Sequence, residues 1–194
     1  MLFIDECHAT GFLGATGRGT EELLGCEGAS TLINSTMGKA MSGAAGGYTA
    51  GPKEIIELLR NRSRPYSFSN SIPPAVAAAA SMAYTIVEQE GPQLASSLAA
   101  KTAQFRNGMA ERGFTISGHD HPICPVMVYD SHKALAIGRM MAEKNIFVIP
   151  FAFPVVASGK ERIRVQISTT HSEEDIERTM DAFYECGKEL GLVE

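Results

Sequence analysis

The sequence predicts an α/β protein whose second half changes to an α+β pattern, and three observations carry that expectation. A short apolar run, Leu2-Phe3-Ile4, closes on Asp5, and a second strand-like run follows at Thr31-Leu32-Ile33. Between and beyond them lie helical patterns, the alternation expected of a parallel sheet with crossover helices. After Gly91-Pro92, strands of alternating polarity are separated by amphipathic helices.

Taken in order, residues 2–5 read as a strand buried on both faces. Its cover is expected from sequence outside these 194 residues, or its apolar edge is left exposed. Residues 14–19 (Gly-Ala-Thr-Gly-Arg-Gly) read as a mobile loop near the rim of a site. They lack the lysine and the strand–helix setting of a nucleotide loop. Residues 20–24 form a short helix with acids in its first turn, closed by Gly25. Residues 46–50 read as a strand. Pro52 then opens a helix with Ile55, Ile56, Leu58 and Leu59 on one face. The stretch RSRPYSFSNS is expected to be extended as far as Ile72-Pro73-Pro74, with an alanine-rich helix from 73 to about 90.

Gly91-Pro92 is the expected domain boundary, dividing the chain into 1–90 and 91–194. A second helix runs to about residue 112, with Leu94, Leu98, Phe105 and Met109 along one face. Residues 122–128 then read as a strand, 131–144 as a helix and 146–149 as a strand. In 162–168, Arg162, Arg164, Gln166 and Ser168 alternate with Ile163, Val165 and Ile167, the pattern of a half-buried strand. Ser172 through Asp175 is a capping-box signal, and Ile176, Met180, Phe183 and Leu190 form the core stripe of the last helix.

Composition narrows the class. A hydrophobic content of 44% with 20% charged residues is that of a globular protein. A net charge of -5 argues against a nucleic-acid surface. No apolar run reaches membrane-spanning length, and no signal peptide opens the chain. Four scattered cysteines without a C-x-x-C pair suit a reducing compartment. His119, His121 and Cys124 lack a second ligand cluster, so no metal is expected.

The chemistry gathers around Asn34-Ser35-Thr36-Met37-Gly38-Lys39-Ala40. Here one lysine stands among residues too small to shield it, between an apolar strand and a glycine-rich turn. Such a lysine, with the Ser35 and Thr36 hydroxyls beside it, suits an imine to an aldehyde cofactor that carries a phosphate. The plain alternative is a surface lysine on a flexible loop. Asp5 ends its strand, and ligands of open parallel sheets bind at the carboxyl ends of strands, so Asp5 and Lys39 can face one crevice. A carboxylate there can pair with a protonated pyridine nitrogen, and His8 can reach the phenolic oxygen of the same ring. D-x-x-H also occurs as a helix cap or a loop pair. Arg164, second arginine of R-I-R, offers a bidentate fork for a carboxylate, or is a surface strand residue.

Four stretches, DECHATGFLGATGRGTEELLG, INSTMGKAMSGAAGGYTAG, RSRPYSFSNSIPPAV and GKERIRVQISTTHSEEDIERT, together resemble the α-oxoamine synthases. These are pyridoxal-phosphate (PLP) enzymes that join an amino acid to an acyl-CoA. The resemblance covers essentially the whole chain, which is about half a family member's length. It implies the C-terminal half of the PLP-binding large domain of an aspartate-aminotransferase-like, fold type I transferase over 1–90. A small C-terminal α+β domain follows over 91–194.

It further implies that Lys39 is the imine-forming lysine and the base at the substrate Cα. Asp5 would keep the ring nitrogen protonated, and His8 would bind the phenolic oxygen. Thr36, and Ser69 reaching from the partner chain of a homodimer, would hold the phosphate, while Arg164 would take the substrate carboxylate and His171 would be structural. The RPYSFSNS and FPVVASGKERIRVQIS stretches favour members that condense glycine with acetyl-CoA to 2-amino-3-oxobutyrate and CoA, run in reverse in threonine breakdown. Ala157-Ser158 departs from the proline and lysine expected ahead of Gly159-Lys160. The wording of the C-terminal stretches implies a mitochondrial enzyme if the source is eukaryotic, and a cytoplasmic one if it is bacterial. Two alternatives stay open: a sister synthase with another amino acid or acyl-CoA, and a truncated, non-catalytic chain.

Overall fold

The apolar run after Met1 forms strand β1 (Phe3–Asp5), paired in parallel with β2 (Leu32–Thr36). The computed structural model describes residues 1–42 and 45–194; Gly43 and Ala44, in the small-residue run after Lys39, lie outside the described residues. The chain forms two compact units, 1–96 and 97–194.

In the first unit β3 (Gly47–Ala50) runs antiparallel to β2, giving the sheet order β1-β2-β3. Helix α1 (Thr20–Leu24) closes on Gly25 in the left-handed region, as its sequence requires. The loop before it, expected to be mobile, is hydrogen-bonded to its neighbours in this structure. The Glu22 carboxylate accepts from Thr16 N and from Thr16 Oγ1 (2.7 Å) and Arg18 N (3.0 Å), while Gly11 N donates to Gly17 O at 2.9 Å. Buried Glu6 accepts from Thr20 N at 2.9 Å. Acids that read as dipole partners of a short helix therefore act as clamps on a loop.

Helix α2 (Lys53–Arg62) follows Pro52 as expected. The RSRPYSFSNS stretch is not extended throughout: Pro65 sits in the first turn of α3 (Arg64–Phe68), and Ser67 N donates to Ser63 O at 3.0 Å. Proline pre-sets the helical φ at that position, which outweighs the polar, extended look of the segment. Gly91-Pro92 does not break the chain either; both lie inside α4 (Pro74–Glu111). Pro92 removes one helical donor, a loss that a long helix can absorb. Gly91 is needed for another reason. A Cβ there would stand 2.3 Å from Thr16 O, so glycine lets the clamped loop lie against the helix backbone.

The second unit contains β4 (Ile123–Met127), α5 (Ser131–Glu143), β5 (Ile149–Phe151), β6 (Arg162–Gln166) and α6 (Glu173–Glu189). Its sheet is antiparallel with order β4-β6-β5. Phe105, Met109, Ile137, Ile163, Met180 and Phe183 are fully buried, and Phe183 meets Phe105 and Phe114 edge-on at 6.5 and 6.1 Å. The Ser172–Asp175 capping box forms with both of its hydrogen bonds, at 3.0 and 3.2 Å.

The strand expected at 146–149 starts three residues late. Asn145 takes a positive φ of 58°, with Asn145 N bonded to Ala142 O and Ile146 N to Met141 O. That is a Schellman closure of α5, and it keeps the chain on the helix end before β5 can begin.

Replacing glycine by alanine inside a helix normally stabilises it by about 1 kcal/mol. Gly91→Ala should do the reverse, lowering stability by about 1–3 kcal/mol because the methyl cannot fit against Thr16 O. A urea midpoint at or above that of the parent chain would show that the loop does not rest on the helix.

Candidate active site

Strand register decides which side chains meet. Asp5 on β1 pairs with Asn34 on β2, and Asn34 pairs with Thr49 on β3, so the three lie in one row on one face. Asp5 Oδ1 accepts from Cys7 N at 2.9 Å, and Oδ2 lies 3.5 Å from Asn34 Nδ2. The Cys7 thiol and then the Cys7 amide hold the Asp5 carboxyl below its ordinary value of 3.8, with Asn34 and the Lys39 ammonium adding to the effect. Asp5 is thus an ionised carboxylate at the carboxyl end of a parallel strand, within the electrostatic reach of Lys39. His8 is exposed on the turn that follows.

Lys39 is exposed on the turn after β2, where its carbonyl accepts from Ser42 N at 3.0 Å. The two hydroxyls before it have different fates because strand side chains alternate. Ser35 points to the core face, donating to Thr10 Oγ1 at 2.8 Å with 1% of its surface exposed, so it is not available beside the lysine. Thr36 Oγ1 is buried and has no hydrogen-bond partner among the described residues. Thr36 lines a cavity of about 800 Å³, together with Asn34, Gly47, Thr49, Arg60 and Ser69. Ser69, just past α3, therefore lines this cavity within its own chain.

Sequence reasoning missed Glu6, Asn34 and Cys7. The signal for Glu6 was a second acid directly after a strand-ending Asp5; Asn34 and Cys7 could be placed only once the register was known.

In the second unit Arg164 sits half-buried on the central strand β6, opposite Pro125 and Ile149. It lines a cavity of about 530 Å³ with Gln166, His171, Arg178, Phe147 and Ile149. His121 Nδ1 accepts from Ile123 N at 3.0 Å, and burial pushes the Cys124 thiol up to about 11, so both belong to the packing of β4. Among the described residues no three His, Cys, Asp or Glu side chains gather so as to hold a metal ion, and no helix is long and apolar enough to cross a membrane.

Residues 1–183 match the model of the aminotransferase class I and II family. The chain belongs to that family. Along all of its length this aminotransferase-family chain is 57% identical to the mitochondrial 2-amino-3-ketobutyrate coenzyme A ligase of Mus musculus, of which it covers 46%. It is 45% identical to the Escherichia coli K12 enzyme of that name, covering all of this chain and 48% of the relative. The chain thus spans about half the length of the curated relatives it matches. Its fold superposes with a TM-score of 0.92 on serine palmitoyltransferase from S. paucimobilis, solved with a bound PLP–myriocin aldimine. That match is 25% identical and covers all of this chain and 48% of that one. The α/β architecture is that of the fold type I transferases in this family.

A carboxyl with a lowered pKa stabilises the fold above its ordinary value, and that stabilisation is lost as pH falls through the folded value. For Asp5 the window therefore runs downward from pH 3.8. Asp5→Asn should flatten the acid limb of the stability curve in that window and leave neutral-pH stability dependent on the remaining contacts. Parallel acid limbs for the two chains, followed by fluorescence in denaturant, would contradict the assigned ionisation.

Proposed function

We propose that this chain carries the lysine-bearing part of a PLP site and works as a glycine C-acetyltransferase. The reaction condenses glycine with acetyl-CoA to 2-amino-3-oxobutyrate and CoA, and serves threonine breakdown in reverse. The identity to two 2-amino-3-ketobutyrate coenzyme A ligases along the whole chain supports the reaction. The observation that carries the cofactor is the set at the strand ends: an ionised Asp5, the Lys39 amine, and a buried Thr36 hydroxyl with no partner among the described residues. That set fits a molecule with an aldehyde, a protonated ring nitrogen and a phosphate, which is the make-up of PLP.

On this reading Lys39 Nζ takes the aldehyde, the Asp5 carboxylate keeps the ring nitrogen charged, and His8 binds the ring oxygen. The Thr36 and Ser69 hydroxyls hold the phosphate. When bound, PLP supplies an electron sink beside the substrate amine. The chain's own residues do the rest. Arg164 holds the glycine carboxylate in its planar fork, which fixes the substrate and carries no proton. Lys39 Nζ, once released, accepts the proton that Cα loses; a Cα–acetyl bond replaces that C–H bond, the thioester C–S bond breaks, and the departing CoA sulfur takes up a proton to leave as the thiol. Asp5, its carboxyl held below the ordinary value, serves the ring nitrogen, and Lys39 is the group assigned the Cα proton.

Residues 1–90 then form the C-terminal half of the PLP-binding large domain, and 91–194 the small α+β domain. The proposed assembly is a homodimer in which Ser69 reaches the partner's site. The exposure of Ser69 and of the flanking Phe68 (84%) and Tyr66 (64%) supports an interface there. The proposed compartment is the mitochondrion in a eukaryotic source and the cytoplasm in a bacterial one. A sister synthase of other specificity is the second reading, and the greater identity to the 2-amino-3-ketobutyrate coenzyme A ligases ranks it below 2-amino-3-ketobutyrate chemistry.

Titrating the purified chain with PLP should give a long-wavelength absorbance band that glycine shifts, and Lys39→Ala should abolish it. A parent chain with no band would place a working cofactor site beyond this chain's own residues and overturn the proposal for it. Mixing Lys39→Ala with Ser69→Ala chains tests the assembly. One intact site forms per mixed dimer if Ser69 serves the partner, restoring tight PLP binding that neither variant has alone. No recovery would assign Ser69 to its own chain's cavity.

A further inference from the structure

The row Asp5, Asn34, Thr49 crosses all three strands of the first sheet, and each contact along it has a direction. Thr49 Oγ1 donates to Asn34 Oδ1 at 3.2 Å. A threonine hydroxyl can donate or accept, whereas an ionised carboxylate only accepts, so the Asp5 side decides which way the Asn34 amide faces and Thr49 completes it as donor. Its oxygen turns to β3 and its NH₂ turns to β1, where Nδ2 lies 3.5 Å from Asp5 Oδ2 and 4.0 Å from Cys7 Sγ. Cys7 approaches from the other side, its amide 2.9 Å from Asp5 Oδ1. Each carboxylate oxygen therefore has its own donor, one from the chain's next turn and one from the neighbouring strand.

We propose that Asn34, oriented by Thr49, is a positioning residue that, with the Cys7 amide, fixes the direction of the Asp5 carboxylate. The proposal rests on the reading above that Asp5 faces the ring nitrogen of a bound cofactor; it adds how that carboxylate is aimed. Two donors on different elements, one at 2.9 Å and a longer one at 3.5 Å, bias the carboxylate against rotating about its Cβ–Cγ bond. The charged and titratable groups acting on Asp5 are the Cys7 thiol on its own turn and the Lys39 ammonium after β2, while β3 contributes the neutral Thr49. Thr49 does not touch Asp5 in this relay. Any effect of Thr49 on Asp5 must pass through the amide of Asn34.

The experiment is a carbon-13 NMR titration of the Asp5 carboxyl in the chain without cofactor, with the resonance assigned by its loss in Asp5→Asn. Thr49→Val keeps the shape and removes the hydroxyl, and it should move the Asp5 midpoint upward. Thr49→Ser should restore it, and Asn34→Ala should move it at least as far as Thr49→Val. Unchanged midpoints in Thr49→Val and Asn34→Ala, with far-ultraviolet dichroism of the parent, would overturn the relay. PLP binding by the same variants is read separately. If the midpoints shift but no variant nor parent binds PLP, the relay stands and the cofactor reading fails. If PLP binds while the midpoints stay fixed, the relay fails and the cofactor reading stands.

Discussion

The parallel pairing of β1 with β2 is the constraint on which the candidate site depends. Its register sets Asp5 against Asn34, and Glu6 N extends the ladder with a 2.7 Å bond to Asn34 O. A slip of one residue would turn every side chain to the opposite face. Asp5 would then face the core side, where Ser35 bonds Thr10, and the Asn34 amide would lose its carboxylate. Register is protected at the same point by Glu6, which follows the strand, is buried, and ties its carboxylate to the start of α1. The clamped loop that begins there rests on α4 at Gly91. Strand end, loop and helix therefore hold one another, and the site face stands on the far side of that arrangement.

Much of this was legible in the residues. Alternation in 162–166 gave β6 and its polar face, and the Ser172–Asp175 spacing gave a helix start that both hydrogen bonds bear out. The apolar run ending at Asp5 gave β1 and its parallel partner. What was not legible shares one physical feature: the deciding partner is remote in sequence. Gly91 read as a helix end because the Thr16 carbonyl it accommodates lies far upstream. Glu21 and Glu22 read as helix-dipole acids, yet Glu21 accepts from Gly28 N and Ser30 N and Glu22 clamps Thr16. Residues 146–149 carried a strand's alternation, with Ile146 and Val148 buried and Phe147 exposed. Local closure of α5 at Asn145 overrode that alternation. At the candidate site, residue types were readable but their partition between two faces was not, and so Ser35 was expected beside Lys39.

That partition gives the sheet two different faces. On one, Ile33, Tyr48 and Ala50 look toward Tyr84 and Val87 of α4, with Tyr48 and Tyr84 edge-on at 6.2 Å. Polar atoms on that face are paired: Ser35 with Thr10, and Tyr84 with Tyr48, whose hydrogen bond adds to burial in pushing the Tyr84 hydroxyl far above its ordinary value. On the other face stand Asp5, Asn34, Thr36 and Thr49, and here Thr36 Oγ1 is buried and without a hydrogen-bond partner among the described residues. An unpaired buried hydroxyl costs about 1–3 kcal/mol, and Thr102 in α4 carries the same cost; Thr36 differs in lining a cavity. On the proposed reading a phosphate oxygen pairs with this hydroxyl. The same alternation that stabilises one side of the sheet thus leaves the other side's hydroxyl open for chemistry.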